Sequence, residues 1–344
     1  MDSFSITRPD DWHLHVRDND MLRAILPYTT RQFARAIIMP NLKAPVTTTA
    51  QALEYYNRII EAIPKNDDFQ PLMTLYLTDN TTPEQILTAK QSGKIFAVKY
   101  YPAGATTNSD SGVTNIEHCY DALAAMQKNG LPLLVHGEVV DANIDIFDRE
   151  KVFIEKVLEP VRQKFPQLRI VFEHITTQDA VQYVLNGDSQ LAATITPHHL
   201  LFSRNAMFAG GINPHYYCLP VLKRQTHQQA LIEAATSGNP KFFLGTDSAP
   251  HPQSAKESAC GCAGIYSAHA AVEFYATAFE LAGKLDKLEA FASFFGADFY
   301  KLPRNTENVT LSKKDWQVPQ SIDVGTDKVI PLLAGETLGW QLTS

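Results

Sequence analysis

The chain has 344 residues, of which 44% are hydrophobic and 19% charged, and its formal charge is −7. This is ordinary globular usage, so disorder and fibrous architectures are excluded, and the acidic balance offers no cationic surplus to a nucleic acid backbone or an anionic membrane. The length fits one large α/β barrel or two modest domains, and a small molecule is the better-matched partner.

Short β-rich runs alternate with helical patterns along most of the chain. The strand candidates are the stretch ending Trp12, His13, Leu14, His15, then 36–39, 72–77, 95–99, 133–136, 170–174, 192–195 and 242–245. Between them lie helically spaced apolar residues, as at Ala52, Leu53, Tyr56, Ile59, Ile60 and Ile63, with caps such as Thr82-Pro83-Glu84 and Thr176-Thr177-Gln178-Asp179. Continuous apolar strands separated by helices predict a parallel sheet covered on both faces. Eight such units predict a closed TIM-type (β/α)8 barrel with its chemistry at the C-terminal ends of the strands. An open doubly wound sheet would want a glycine-rich loop after its first strand, and here that strand runs into His13, Leu14, His15, Val16, Arg17, Asp18. Helical patterns follow around 266–282 and 285–300. The chain is thus expected to be one domain, with a barrel over about 5–300 and a short C-terminal appendage over about 301–344.

The N-terminus has no basic segment leading into an apolar one, and no window approaches the ~18 apolar residues of a membrane span. A soluble, untargeted, cytoplasmic protein is expected. Four cysteines, Cys119, Cys218, Cys260 and Cys262, are too few and scattered for a disulfide framework. Cys260 and Cys262 form a Cys-x-Cys with no second pair at zinc-finger distance, and all four are read as reduced thiols.

The histidines carry more information. On a strand of period two, His13 and His15 share a face. His136 and His174 each end an apolar run, and Asp247 follows the last strand, so four imidazoles and a carboxylate fall on one rim. These are ligands that Zn²⁺ favours, and five exceed the needs of one four-coordinate ion. Two ions are expected, with a bridge between them. Lys99, at the tip of the fourth strand, has two readings: an ammonium pairing a carboxylate at the barrel mouth, or a neutral amine carboxylated to a bridging carbamate. Arg17 continues the 13, 15, 17 alternation and suits bidentate recognition of a carboxylate. Asn41 and His251, at the ends of strands two and eight, would add donors. The small, polar loop 103–112 suits a lid, with the Thr106 and Thr107 hydroxyls over substrate, or equally a plain connection. Tyr100 and Tyr101 are read as rim packing, and His118, His198, His199, His215, His227 and His269 as structural.

The pattern of His13-x-His15, Lys99, His136, His174 and Asp247 resembles the binuclear amidohydrolase superfamily. Within it, Asp11-Trp12-His13-Leu14-His15-Val16-Arg17-Asp18, Met39-Pro40-Asn41 and Gly245-Thr246-Asp247-Ser248-Ala249-Pro250-His251 resemble the shorter, bacterial-type dihydroorotase family, over about residues 8–335. The resemblance implies reversible, zinc-dependent interconversion of L-dihydroorotate and N-carbamoyl-L-aspartate, a step of pyrimidine synthesis. It implies two Zn²⁺ bridged by N6-carboxylated Lys99 and a hydroxide, with His13, His15 and Asp247 on the more buried ion and His136 and His174 on the other. It also implies Asp247 as proton acceptor, the backbones of Leu219 and Ala263 reading the ring amide, and a homodimer. Competing readings are a hydantoinase-like cyclic amidase, a non-catalytic scaffold of the same fold, and a single-metal nuclease-like barrel. The first is distinguished by the clamp of Arg17, Asn41 and His251, which a substrate without a carboxylate does not need.

Overall fold

The computed structural model describes residues 2–259 and 261–343; Cys260, one half of the Cys-x-Cys pair, lies outside them. Eight parallel strands pair in sequence order: β1 Asp10–Leu14, β2 Arg35–Ile38, β3 Gln70–Tyr76, β4 Ile95–Tyr100, β5 Leu133–Val135, β6 Ile170–Phe172, β7 Leu191–Ile195 and β8 Phe242–Leu244. The circle closes just beyond the strand ends, where Asp247 N donates to His13 O (2.9 Å) and His15 N to Ser248 O (3.1 Å). The expected TIM-type barrel is therefore present, with helices between its strands. Two helix starts are those the caps predict, Thr82 forming a capping box with Gln85 and Thr177 capping the helix Gln178–Asn186, and Thr48 with Gln51 forms a further capping box.

The barrel interior is built in layers. Its floor takes one apolar side chain from each strand: Trp12, Ile37, Leu72, Ala97, Leu134, Val171, Ala192 and Phe243. The helix Phe295–Tyr300 plugs the bottom, with Tyr300 stacked on Trp12 at a centroid distance of 4.5 Å. Gly296 lets that helix approach, because a Cβ there would lie 2.0 Å from Trp12 Nε1. Period two then dictates what stands one step above the floor: Lys99 over Ala97, His136 over Leu134, Glu173 over Val171, Thr194 over Ala192 and Gly245 over Phe243. On β1 the register with β2 shifts between Asp11 and Leu14, which accommodates both Trp12 and His13 on the interior. An apolar plug thus passes into a polar layer within one repeat of the pleat.

The chain ends depart from expectation. Ser3–Thr7 does not lead into the barrel but pairs antiparallel with Asn308–Gln317, Ile6 opposite Val309, and Thr337–Leu342 completes a three-stranded sheet. The barrel itself starts at Asp10, and the appendage is a sheet built from both ends of the chain. Only tertiary pairing could recruit so short an N-terminal strand. Among the described residues, no helix is long and apolar enough to cross a membrane.

Candidate active site

A cavity at the C-terminal mouth of the barrel is lined by His13, His15, Arg17, Asn41, Tyr101, Thr106, Thr107, His136, His174, Leu219, Asp247 and Ala263, among others. Residues far apart in sequence meet here because each follows the tip of its own strand. Arg17, His174 and Asp247 have positive φ (55°, 42° and 45°), a conformation that non-glycine residues rarely adopt. At His174 it turns the chain so that consecutive residues, Glu173 and His174, both face the interior.

The polar atoms converge tightly. His15 Nε2 and His13 Nε2 stand 3.1 and 3.2 Å from Asp247 Oδ1, and 3.3 Å from one another. His13 Nδ1 lies 3.1 Å from Glu173 Oε2. The His174 ring is 5.0 Å from that of His13 and 4.9 Å from that of His136. Lys99, wholly buried beneath the cavity, pairs with Glu173. Of the two readings of Lys99, this arrangement holds the ion pair.

Charge in the cluster is finely opposed. Burial works against protonating His13, but Glu173 and Asp247 on its two sides outweigh it and raise the imidazole to about 9. Burial, followed by the Arg17 charge, lowers His15 to about 3. Burial and Lys99 carry His174 well below its usual value. Burial would raise Asp247, yet His13 and the hydrogen bonds from both histidines hold it well below the carboxylate range. Lys99 is lowered by burial against the pull of Glu173. Burial and neighbouring cations thus favour neutral imidazoles at His15 and His174, while the two flanking carboxylates favour the protonated form of His13.

The cluster passes a test for metal ligation. Ligand atoms of His13, His15 and Asp247 lie within 4.8 Å of one another, as do those of His13, Glu173 and His174. His174 Nδ1 is buried without a hydrogen-bond partner. Imidazole and carboxylate are the donor chemistry of zinc-type ions.

On the other wall, Arg17 Nε donates to Pro250 O (3.1 Å), with Nη1 3.3 Å from His15 Nδ1 and Nη2 3.1 Å from His251 Nε2. No carboxylate among the described residues forms an ion pair with this guanidinium. His251 Nε2 also stands 3.0 Å from Ala263 O. The 103–112 loop folds over the mouth, where Asn41 Nδ2 donates to Thr107 O (3.1 Å) and Thr107 Oγ1 to Ala263 O (3.3 Å). Asn41 therefore spends its donor on the loop and leaves Oδ1 buried without a partner.

Three neighbours escaped the sequence reading. Glu173 lies directly before His174, and the alternation from Val171 would have placed it inward. Glu138 stands two residues beyond His136, with Oε2 2.9 Å from His136 Nε2. Tyr101, read as packing, lines the cavity with a buried hydroxyl that has no partner, whereas Tyr100 packs outward on Phe153 at 5.9 Å. His118 and His215 pair with Asp79 and Glu257 away from the cavity, and His227 accepts from Gln178 N.

The chain belongs to the amidohydrolase family, whose pattern it matches over residues 10–314; it is a metal-dependent type of hydrolase that acts on cyclic amides. More narrowly, it is 64% identical over 341 residues to the dihydroorotase of Picosynechococcus sp., covering 99% of each chain. A crystal structure of dihydroorotase from Saccharomyces cerevisiae in complex with 5-fluoroorotic acid superposes with a TM-score of 0.92 at 35% identity, covering 100% of this chain and 99% of that one. An L-hydantoinase from Arthrobacter aurescens reaches a TM-score of 0.82 over 99% of this chain and 83% of its own at 14% identity. That likeness is one of fold, so the hydantoinase alternative is not favoured.

Proposed function

We propose that this chain is a dihydroorotase that interconverts L-dihydroorotate and N-carbamoyl-L-aspartate. The observation that carries the reading is one cavity holding both a histidine and carboxylate cluster and, within hydrogen-bond reach of it, an arginine with no acidic partner among the described residues. A guanidinium beside cations is costly unless an anion shares the site.

In this reading His13, His15 and Asp247 would hold one Zn²⁺, and His136 and His174 a second. Carboxylated Lys99 would bridge them, its neutral amine adding carbon dioxide with loss of one proton. Bound zinc supplies Lewis acidity toward the ring carbonyl and an acidified water at neutral pH. Asp247 accepts the proton of the attacking water and returns it to the departing amide nitrogen. Arg17 grips the substrate carboxylate, with His251 and Asn41 beside it. The Leu219 and Ala263 backbones face the ring amide, and Thr106 and Thr107 close the loop over it. Glu173 and Glu138 orient His13 and His136, as outer-shell carboxylates do for metal-bound imidazoles.

The test follows the ultraviolet absorbance of dihydroorotate with purified, zinc-loaded protein. Turnover should vanish on chelation and return with zinc, and metal analysis should find about two equivalents per chain. Zinc-loaded protein inert toward dihydroorotate and carbamoyl-aspartate alike refutes the reading.

A further inference from the structure

Past β7, Thr196 caps the short helix Pro197–Leu201, and His198 and His199 on its first turn face the segment that carries Cys218 and Pro220. All three ligand-type side chains are buried, His198 at 0%, Cys218 at 1% and His199 at 2% exposure. The Pro220 carbonyl is the focus of the group, 3.1 Å from His199 Nε2 and 3.3 Å from Cys218 Sγ, which are themselves 4.0 Å apart. The His198 ring lies 4.6 Å from that of His199, and ligand atoms of His198, His199 and Cys218 lie within 4.8 Å of one another.

These spacings are close to the edges of a coordination tetrahedron. With zinc-type bonds of about 2.0–2.1 Å to nitrogen and oxygen and about 2.3 Å to sulfur, the N–O, S–O and N–S edges are about 3.4, 3.6 and 3.6 Å. Shifts of a few tenths of an ångström would bring the His199, Cys218 and Pro220 atoms onto these edges, with the His198 ring beside them as the fourth donor. A purely structural hydrogen-bonded strut explains less. His199 is satisfied in that account, with Nδ1 2.7 Å from Thr196 Oγ1, but both ring nitrogens of His198 are buried with no partner. Buried polar groups are rarely left so, and an unpartnered imidazole grouped with a thiol and a second imidazole is the arrangement of a metal ligand.

We propose that His198, His199 and Cys218, completed by the Pro220 carbonyl, form a metal site separate from the barrel-mouth cluster, taking one soft, thiophilic divalent ion of the zinc kind. The ion displaces one proton, that of the Cys218 thiol now directed at Pro220 O, while neutral His199 keeps its single proton, which passes from Nε2 to Nδ1. Thr196 Oγ1 then accepts from His199 Nδ1–H and fixes the ring, the usual outer-shell arrangement for a ligating histidine. Burial pushes the Cys218 thiol up to about 12, so the thiolate forms only with the ion, and binding releases that proton. Cys218 and Pro220 flank Leu219, a cavity-wall residue, so an ion here tethers that wall to the tip of β7.

The experiment titrates Co²⁺ into the full-length protein after its metal has been removed by chelation, and reads thiolate-to-cobalt charge-transfer absorption in the near ultraviolet. The barrel-mouth ligands contain no sulfur, so this signal is silent to binding there and independent of the catalytic reading. We expect a band that saturates at one ion per chain, is lost in Cys218→Ser of native circular dichroism, and requires at least about tenfold more cobalt in His198→Gln. Where Cys218→Ser does not fold, His199→Gln is read in the same way. Absence of the band in the parent protein, or its persistence in a folded Cys218→Ser or His199→Gln variant, overturns the site.

Discussion

Arg17→Met tests the substrate side most directly, because it keeps much of the stem volume and removes every donor. Arg17 Nε is committed to Pro250 O, which leaves Nη1 and Nη2 for a carboxylate. Each charge-assisted hydrogen bond is worth about 1.5–3 kcal/mol, so two represent about 3–6 kcal/mol gross. The resting guanidinium must exchange its contacts with His15 Nδ1 at 3.3 Å and His251 Nε2 at 3.1 Å, which places the net loss toward the lower end, about 3–4 kcal/mol. At about 1.4 kcal/mol per decade, kcat/KM on dihydroorotate should fall about 10²–10³-fold. Dihydrouracil lacks the carboxylate, and its poor turnover should hardly change. Steady-state kinetics on the two substrates with matched metal content decide the matter. Equal losses on both would mean that Arg17 only supports His15 and His251, and the anion argument would fail.

Other outcomes follow from the same geometry. Asp247→Asn should depress kcat far more than it changes KM, since the lost group acts in the transition state; near-normal turnover removes it as proton acceptor. The ionised form of Asp247 is favoured by His13 and His15, so hydrolysis should rise with pH through one deprotonation in the parent enzyme. Lys99→Ala should lose metal and activity together, with partial rescue by a small carboxylic acid and metal, and intact-mass analysis showing unmodified Lys99 in fully active protein would refute the carbamate. Gly296→Ala forces a Cβ to within 2.0 Å of the Trp12 indole and should destabilise the barrel floor by about 1–3 kcal/mol in denaturant titrations.

Much of this protein was legible in its sequence because the signals are periodic. Runs such as 95–99 and 133–136, separated by helical patterns, fit parallel strands buried on both faces, and a candidate ligand at the tips of five of the eight strands follows from where the apolar run stops. Alternation and strand-end position singled out Arg17, Asn41 and His251, and family resemblance added Leu219 and Ala263; all but His251 line the cavity, with His251 held against Arg17 and Ala263. What spacing could not carry was anything dependent on backbone direction or long-range pairing. The positive φ at His174 is what lets Glu173 share the interior with its neighbour and meet Lys99 and His13. The register shift on β1 lets Trp12 serve the floor and His13 the site. Ser3–Thr7 finds its partner some 300 residues away, and the idle nitrogens of His198 become visible only when Cys218 and Pro220 arrive from another segment. Local patterning determines which residues are available at a strand tip; the closure of the barrel determines which of them touch, because contacts across a closed circle have no counterpart in sequence distance.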